Sequence, residues 1–160
     1  MKTQPSLREG TYGICGLAEQ IISREHQDRE QHLTLFAQIG FADPQVNRFS
    51  QYYGGGLVYR GLISHRNDDE IGVGVAAALN GSHFKRAQRK TERSVDDAEV
   101  ALEMTYAINI NERIIIQPNL QYIINPDTDP RIRNALVIGA RLELNLDWFG
   151  SQATSVKNRK

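Results

Sequence analysis

The chain has 160 residues, with 19 Lys plus Arg against 19 Asp plus Glu, 40% hydrophobic residues and 24% charged ones. That is one domain's worth of chain, too apolar for disorder, and its zero net charge excludes the basic excess of a general nucleic-acid binder. A single cysteine, Cys15, excludes an internal disulfide framework and a cysteine-based zinc site, and no apolar run approaches the ~18 residues of a transmembrane helix.

Residues 1–10 read as a flexible N-terminal segment. Met1 to Glu9 has no apolar core and no small-residue cleavage site, so no export signal is expected there. The first predicted strand, Tyr12 to Arg24, places Ile14, Leu17, Ile21 and Ile22 on mixed parity, which predicts a bulge near Gln20. The second alternates cleanly: Leu33, Leu35, Ala37, Ile39 and Phe41 against Thr34, Phe36, Gln38 and Gly40. After the Asp43-Pro44 turn, a third strand between Gln51 and Gly61 sets Tyr53, Gly55, Leu57 and Tyr59 against Gly54, Gly56, Val58 and Arg60. The fourth sets Ile71, Val73, Val75, Ala77 and Leu79 against glycine, alanine and Asn80.

Ser82 to Asp97 reads as a long loop carrying Lys85, Arg86, Arg89, Lys90 and Arg93. In the fifth strand every even residue from Ala98 to Ile110 is apolar or tyrosine, and every odd one is polar or small. A helix cannot satisfy a period of two over that length. Asn111-Glu112 is a tight turn into a sixth strand, Arg113 to Ile124, where Pro118 removes a ladder donor and predicts a bulge or weak pairing. Asn125 to Arg133 carries Pro126 and Pro130, and a seventh strand runs from Ala135 to an aromatic end at Trp148 and Phe149. Residues 150–160 read as a polar, basic tail.

The predicted fold is all-β: an antiparallel meander of about seven long strands over residues 11–149. Strands of roughly 9 to 13 residues exceed the ~5–6 usual in soluble sheets and suit the ~9–11 of a tilted membrane strand. One strand face is rich in Gly, Ala, Gln and Asn and poor in Lys, and Trp148 stands where an interfacial aromatic belt would lie. Both observations favour part of a transmembrane β-barrel, an open or curled sheet that is incomplete by itself. A soluble β-barrel binding a small apolar ligand, with the apolar face turned inward, remains the alternative.

Several stretches carry a family resemblance: Ala18-Glu19-Gln20; Gly55-Gly56-Leu57 with Tyr59 and Gly61-Leu62-Ile63; Arg66, Asp68-Asp69, Gly72 and Gly74. They continue with Glu103 and Thr105-Tyr106, then Gln117-Pro118-Asn119-Leu120-Gln121-Tyr122-Ile123 with Asn125-Pro126, then Ala135-Leu136-Val137, Gly139 and Arg141. Over about residues 10 to 149 the chain resembles the C-terminal part of the carbohydrate-selective outer-membrane porins of the OprB type. The resemblance implies an outer-membrane barrel of sixteen strands that passes sugars by passive diffusion. Its implied partners are neutral sugars as solutes, a lipid bilayer and the missing N-terminal barrel strands.

No constellation for catalysis is present. His26, His32, His65 and His83 form no metal-ligand spacing, Gly54-Gly55-Gly56 lacks the Lys-Ser/Thr of a phosphate loop, and Asp127-Thr128-Asp129 lacks the rest of a calcium loop. The expectation is therefore of a non-enzyme with no cofactor, no metal and no nucleic-acid partner. The basic run Lys85 to Arg93 reads first as a solvated loop, and in an outer-membrane protein as a place to meet lipopolysaccharide phosphates. Under a channel reading the lumen-side set is Gln38, Arg60, Glu99, Glu103, Gln117, Gln121, Arg141 and Glu143, and Phe36 is the only clear aromatic expected on that side. Amides, carboxylates and guanidiniums exchange hydrogen bonds with hydroxyl-rich solutes, yet cross-strand ion pairing alone would also place Arg and Glu there.

Overall fold

The computed structural model describes residues 10–25 and 31–145. The expected N-terminal segment up to Glu9, the Trp148 belt and the basic tail lie outside the described residues. Seven strands form one sheet in sequence order: β1 (Gly13–Arg24), β2 (His32–Ala42), β3 (Phe49–Arg60), β4 (Glu70–Asn80), β5 (Ala98–Asn111), β6 (Ile114–Ile124) and β7 (Ala135–Leu144). Each pairs antiparallel with its sequence neighbour. The sheet is open: the outer edges of β1 and β7 carry no strand partner among the described residues.

β1 carries a bulge close to the expected Gln20, between Ile21 and Ser23, but it does not bring the apolar residues to one side: Ile14 stands opposite Phe41, and Leu17 and Ile21 stand on the polar face opposite Gln38 and Thr34. Pro118 behaves differently from a bulge. The β5–β6 register is unchanged on either side of it, from Thr105–Asn119 to Ile108–Ile116, but the rungs between are missing from the ladder. Proline has no N–H to offer there, and the Thr105 hydroxyl donates to the Pro118 carbonyl at 3.1 Å.

One expectation is corrected. Within the stretch expected to be a loop, Ser82–Lys90 is a helix, α1. Its residues are mostly good helix formers, and Arg89 and Lys90 sit in the last turn, where cations suit the helix dipole. Asn125 to Arg133 likewise contains a short 3-10 turn, Pro126–Thr128.

The connections fall into two groups. Residues 43–48, 81–97 and 125–134 lie at one end of the sheet, the loop end. Residues 61–69 and the Asn111-to-Ile114 turn lie at the other, the turn end. The described residues contain no buried hydrophobic core, and their buried polar residues, Thr34, Asp69, Asn80 and Thr128, lie on the polar face or in the connections.

Candidate channel wall

Residues paired directly across an antiparallel sheet share a face, so the register fixes both faces. One row runs Leu35, Leu57, Val73, Met104, Leu120 and Ile138; the next runs Ala37, Gly55, Val75, Leu102, Tyr122 and Leu136. This apolar face is the more exposed one. Val73, Val75, Leu120 and Tyr122 are exposed, whereas Gly72 is buried and Gly74, Asn119, Gln121 and Ile123 on the other face are half-buried. Ile138 is 77% exposed. A soluble sheet with an apolar interior shows the opposite order.

Aromatics bracket the aliphatic band. Phe41, Tyr53 and Tyr122 lie toward the loop end, the first two ring-to-ring at 6.1 Å and 87°, and Tyr59 and Tyr106 lie toward the turn end. Tyr53 and Tyr59 are six residues apart on β3, or ~20 Å along the strand.

All eight candidate residues, Gln38, Arg60, Glu99, Glu103, Gln117, Gln121, Arg141 and Glu143, lie on the other face. They do not converge on one point. Glu103 stands opposite Gln121 at mid-height, and Gln117 opposite Arg141 nearer the turn end. Arg60 faces Glu70 across the strands and pairs with Asp68 at 2.8 Å. Arg141 pairs with Glu143 along its own strand at 2.9 Å, so both charges partly neutralise each other. The Gln117 amide donates to the Thr105 hydroxyl at 2.9 Å. Glu103 receives only a long 3.4 Å bond from the Asn119 amide, and Gln38 and Gln121 make no side-chain hydrogen bond among the described residues. These three groups thus leave most of their hydrogen-bonding capacity unused by side-chain partners among the described residues.

Glu99 has another task. Its carboxylate accepts the Asp127 backbone N–H at 2.5 Å and draws the 3-10 turn onto the polar face. That turn holds Asn125, Asp127 and Thr128 at positive φ of 53°, 56° and 49°. Arg48 grips it, paired with the Asp127 carboxylate and donating to the Asp127 carbonyl and, at 3.1 Å, to the Thr128 hydroxyl. The Asn80 amide donates to the fully buried Thr128 hydroxyl at 2.7 Å. The Arg48 guanidinium also lies 4.9 Å from the ring centres of Phe49 and Phe84, the latter on α1. Sequence spacing gave no sign of this clasp, because its members come from four separate segments.

At the turn end, Asp69 is the hub. Its carboxylate accepts from Arg66 at 2.5 and 3.0 Å, from the Tyr106 hydroxyl at 2.6 Å and from the Asn109 backbone N–H at 2.9 Å. Burial pushes the Asp69 carboxyl up, but the bonds from Arg66, Tyr106 and Asn109 outweigh it and hold the group below its ordinary value. Tyr52 is a second residue the sequence pattern passed over: it pairs with Gly40 and Ala78 on the polar face.

The profile of the carbohydrate-selective porins of the OprB family matches residues 2–146. The chain belongs to the OprB family. It is 28% identical over 149 residues to Porin B of Pseudomonas aeruginosa, an alignment covering 85% of this chain and 33% of that protein. A solved structure of Pseudomonas putida OprB at high pH superposes with a TM-score of 0.75 at 27% identity, covering 82% of this chain and 34% of that one. The OprB-family chain described here thus spans about a third of the length of these relatives. Within it, the run Gln117 to Ile124 contributes to both faces: Gln117, Asn119 and Gln121 to the polar one, Leu120 and Tyr122 to the apolar one.

Proposed function

We propose that this chain forms part of the wall of an outer-membrane pore through which neutral sugars diffuse down their gradient. The observation that carries the proposal is the inverted exposure of the sheet. Its apolar face, bracketed by tyrosines, is the outer one, and its half-covered face presents amides, carboxylates and glycines. In a bilayer the apolar face meets lipid and the polar face meets water. Glu103, Gln121 and Gln38 offer hydrogen bonds that replace those a sugar loses with water, while the Arg–Glu and Arg–Asp pairs keep the wall near neutrality. Passage needs no cofactor and breaks no covalent bond.

The same inverted exposure disfavours a soluble barrel with an apolar cavity. The loop end would face outward, where Arg86, Arg89 and Lys90, all exposed on α1, would stand level with lipopolysaccharide phosphates. The test is liposome swelling with the assembled barrel that carries this chain. Glucose should enter as the liposomes swell; liposomes that admit salt but never glucose, or a chain that partitions into water without detergent, would overturn the proposal.

A further inference from the structure

Two aromatic side chains of the polar face lie down on glycine. A Cβ built on Gly56 would clash with the Val73 carbonyl oxygen of the next strand and stand 2.8 Å from the Phe36 ring tip, and one on Gly74 would stand 3.6 Å from that ring tip. The Phe36 ring therefore reaches from β2 across β3 to β4, at a level where both strands carry only hydrogen. A Cβ on Gly54 would stand 3.0 Å from the Tyr52 hydroxyl and 3.2 Å from its ring edge, so Tyr52 leans along its own strand toward the same patch. Both rings line one cleft, shared with Gln38 and Glu103. Gln38 stands opposite Gly54, and Glu103 opposite Gly74, so an amide and a carboxylate flank the rings on either side.

The chemistry of that arrangement is specific. A pyranose has an apolar face of axial C–H groups and a rim of hydroxyls. Flat aromatic faces take the first, and an adjacent carboxylate and amide take the second. Glycine at these positions lets the rings approach the strand backbone closely. We propose that Phe36 and Tyr52, laid over Gly54, Gly56 and Gly74, form a stacking platform for the ring of a passing sugar, with Glu103 and Gln38 bonding its hydroxyl rim. This rests on the porin reading and adds a subsite to it.

The alternative is that the rings merely fill the space glycine leaves. Two probes separate these: D-glucose, which has a pyranose face, and mannitol, an open-chain polyol with hydroxyls but no ring. In planar bilayers holding the assembled pore, glucose should interrupt ion current at lower concentration than mannitol. Phe36→Leu and Tyr52→Leu should each weaken the glucose block about five- to tenfold, the scale of one lost aromatic stacking contact, and weaken the mannitol block far less. Phe36→Trp should retain it. Gly54→Ala keeps both rings but lifts Tyr52, and should weaken the glucose block in the same direction. Equal effects on both probes, or none on either, would overturn the platform while leaving sugar passage intact. A wild-type pore that glucose does not enter would overturn both proposals.

Discussion

Glu103 and Met104 are neighbours in the chain and stand on opposite faces of β5, one exposed toward the polar side and the other in the middle of the aliphatic band. Substitution should therefore depend on parity more than on residue type. Met104→Arg, in the middle of the apolar band, should cost roughly 2–4 kcal/mol, while Glu103→Leu on the opposite face should cost little. Denaturant titration of the barrel refolded into lipid checks this, and equal tolerance of both would remove the assignment of faces. Asp69 yields a pH prediction. Its carboxyl is held below its ordinary value in the fold, so its contribution is fully present above the ordinary carboxylate range and is lost as pH falls through the depressed value. Asp69→Ala leaves four donors without their acceptor and should destabilise by about 1–3 kcal/mol at neutral pH. Acid titration of stability should show a step in the wild type that Asp69→Asn lacks.

At the scale of elements, the strands were legible because a period of two is a local signal repeated many times within each segment. The polar-face set followed directly from parity. Tyr52 escaped because the triple glycine after it offers no apolar contrast, so only the pairing with Gly40 and Ala78 reveals its side. α1 escaped because Ser82 to Lys90 carries no apolar stripe: after Ser82 and His83 it has a single aromatic, Phe84, among helix-forming Lys, Arg, Ala and Gln. The Asp69 hub and the Arg48 clasp were illegible for a different reason: their partners meet only after several strands have paired. The two ends of the sheet make a topological prediction. The loop end carries α1 and the long connections, and outer-membrane barrels place long loops outside and short turns in the periplasm. A protease site inserted at Arg89 should be cut from outside intact cells, whereas one at Arg66 should be protected; the reverse pattern would invert the sheet.

The whole molecule is defined by its two edges. β1 and β7 each present an unpaired row of N–H and C=O groups among the described residues, and in hydrocarbon each such group costs several kcal/mol. Curling seven strands onto themselves does not answer this, because single-chain bacterial barrels have an even number of at least eight, and eight leave an interior just filled by side chains. The 160-residue chain by itself should give no steady sugar-permeable channel in a planar bilayer, and should conduct only when further strands close the sheet. Steady glucose-permeable channels from the purified chain would refute this.

The clasp at the loop end bears on the order of assembly. Every rung of the sheet joins neighbouring strands, so the ladder can grow hairpin by hairpin with little loop entropy to overcome. Arg48 and its partners Asp127 and Thr128 are 79 and 80 residues apart, and nothing brings them together until β3 through β6 stand side by side. Asp127 and Thr128 in the 3-10 turn, and Asn125 just before it, adopt left-handed backbone that costs up to about 1–2 kcal/mol per residue until Arg48, Asn80 and Glu99 hold the turn. The expected order therefore puts closure of the clasp after strand pairing, which folding kinetics can test. Arg48→Ala should leave the folding rate nearly unchanged and speed unfolding, so that a finished wall loosens first at its outer end.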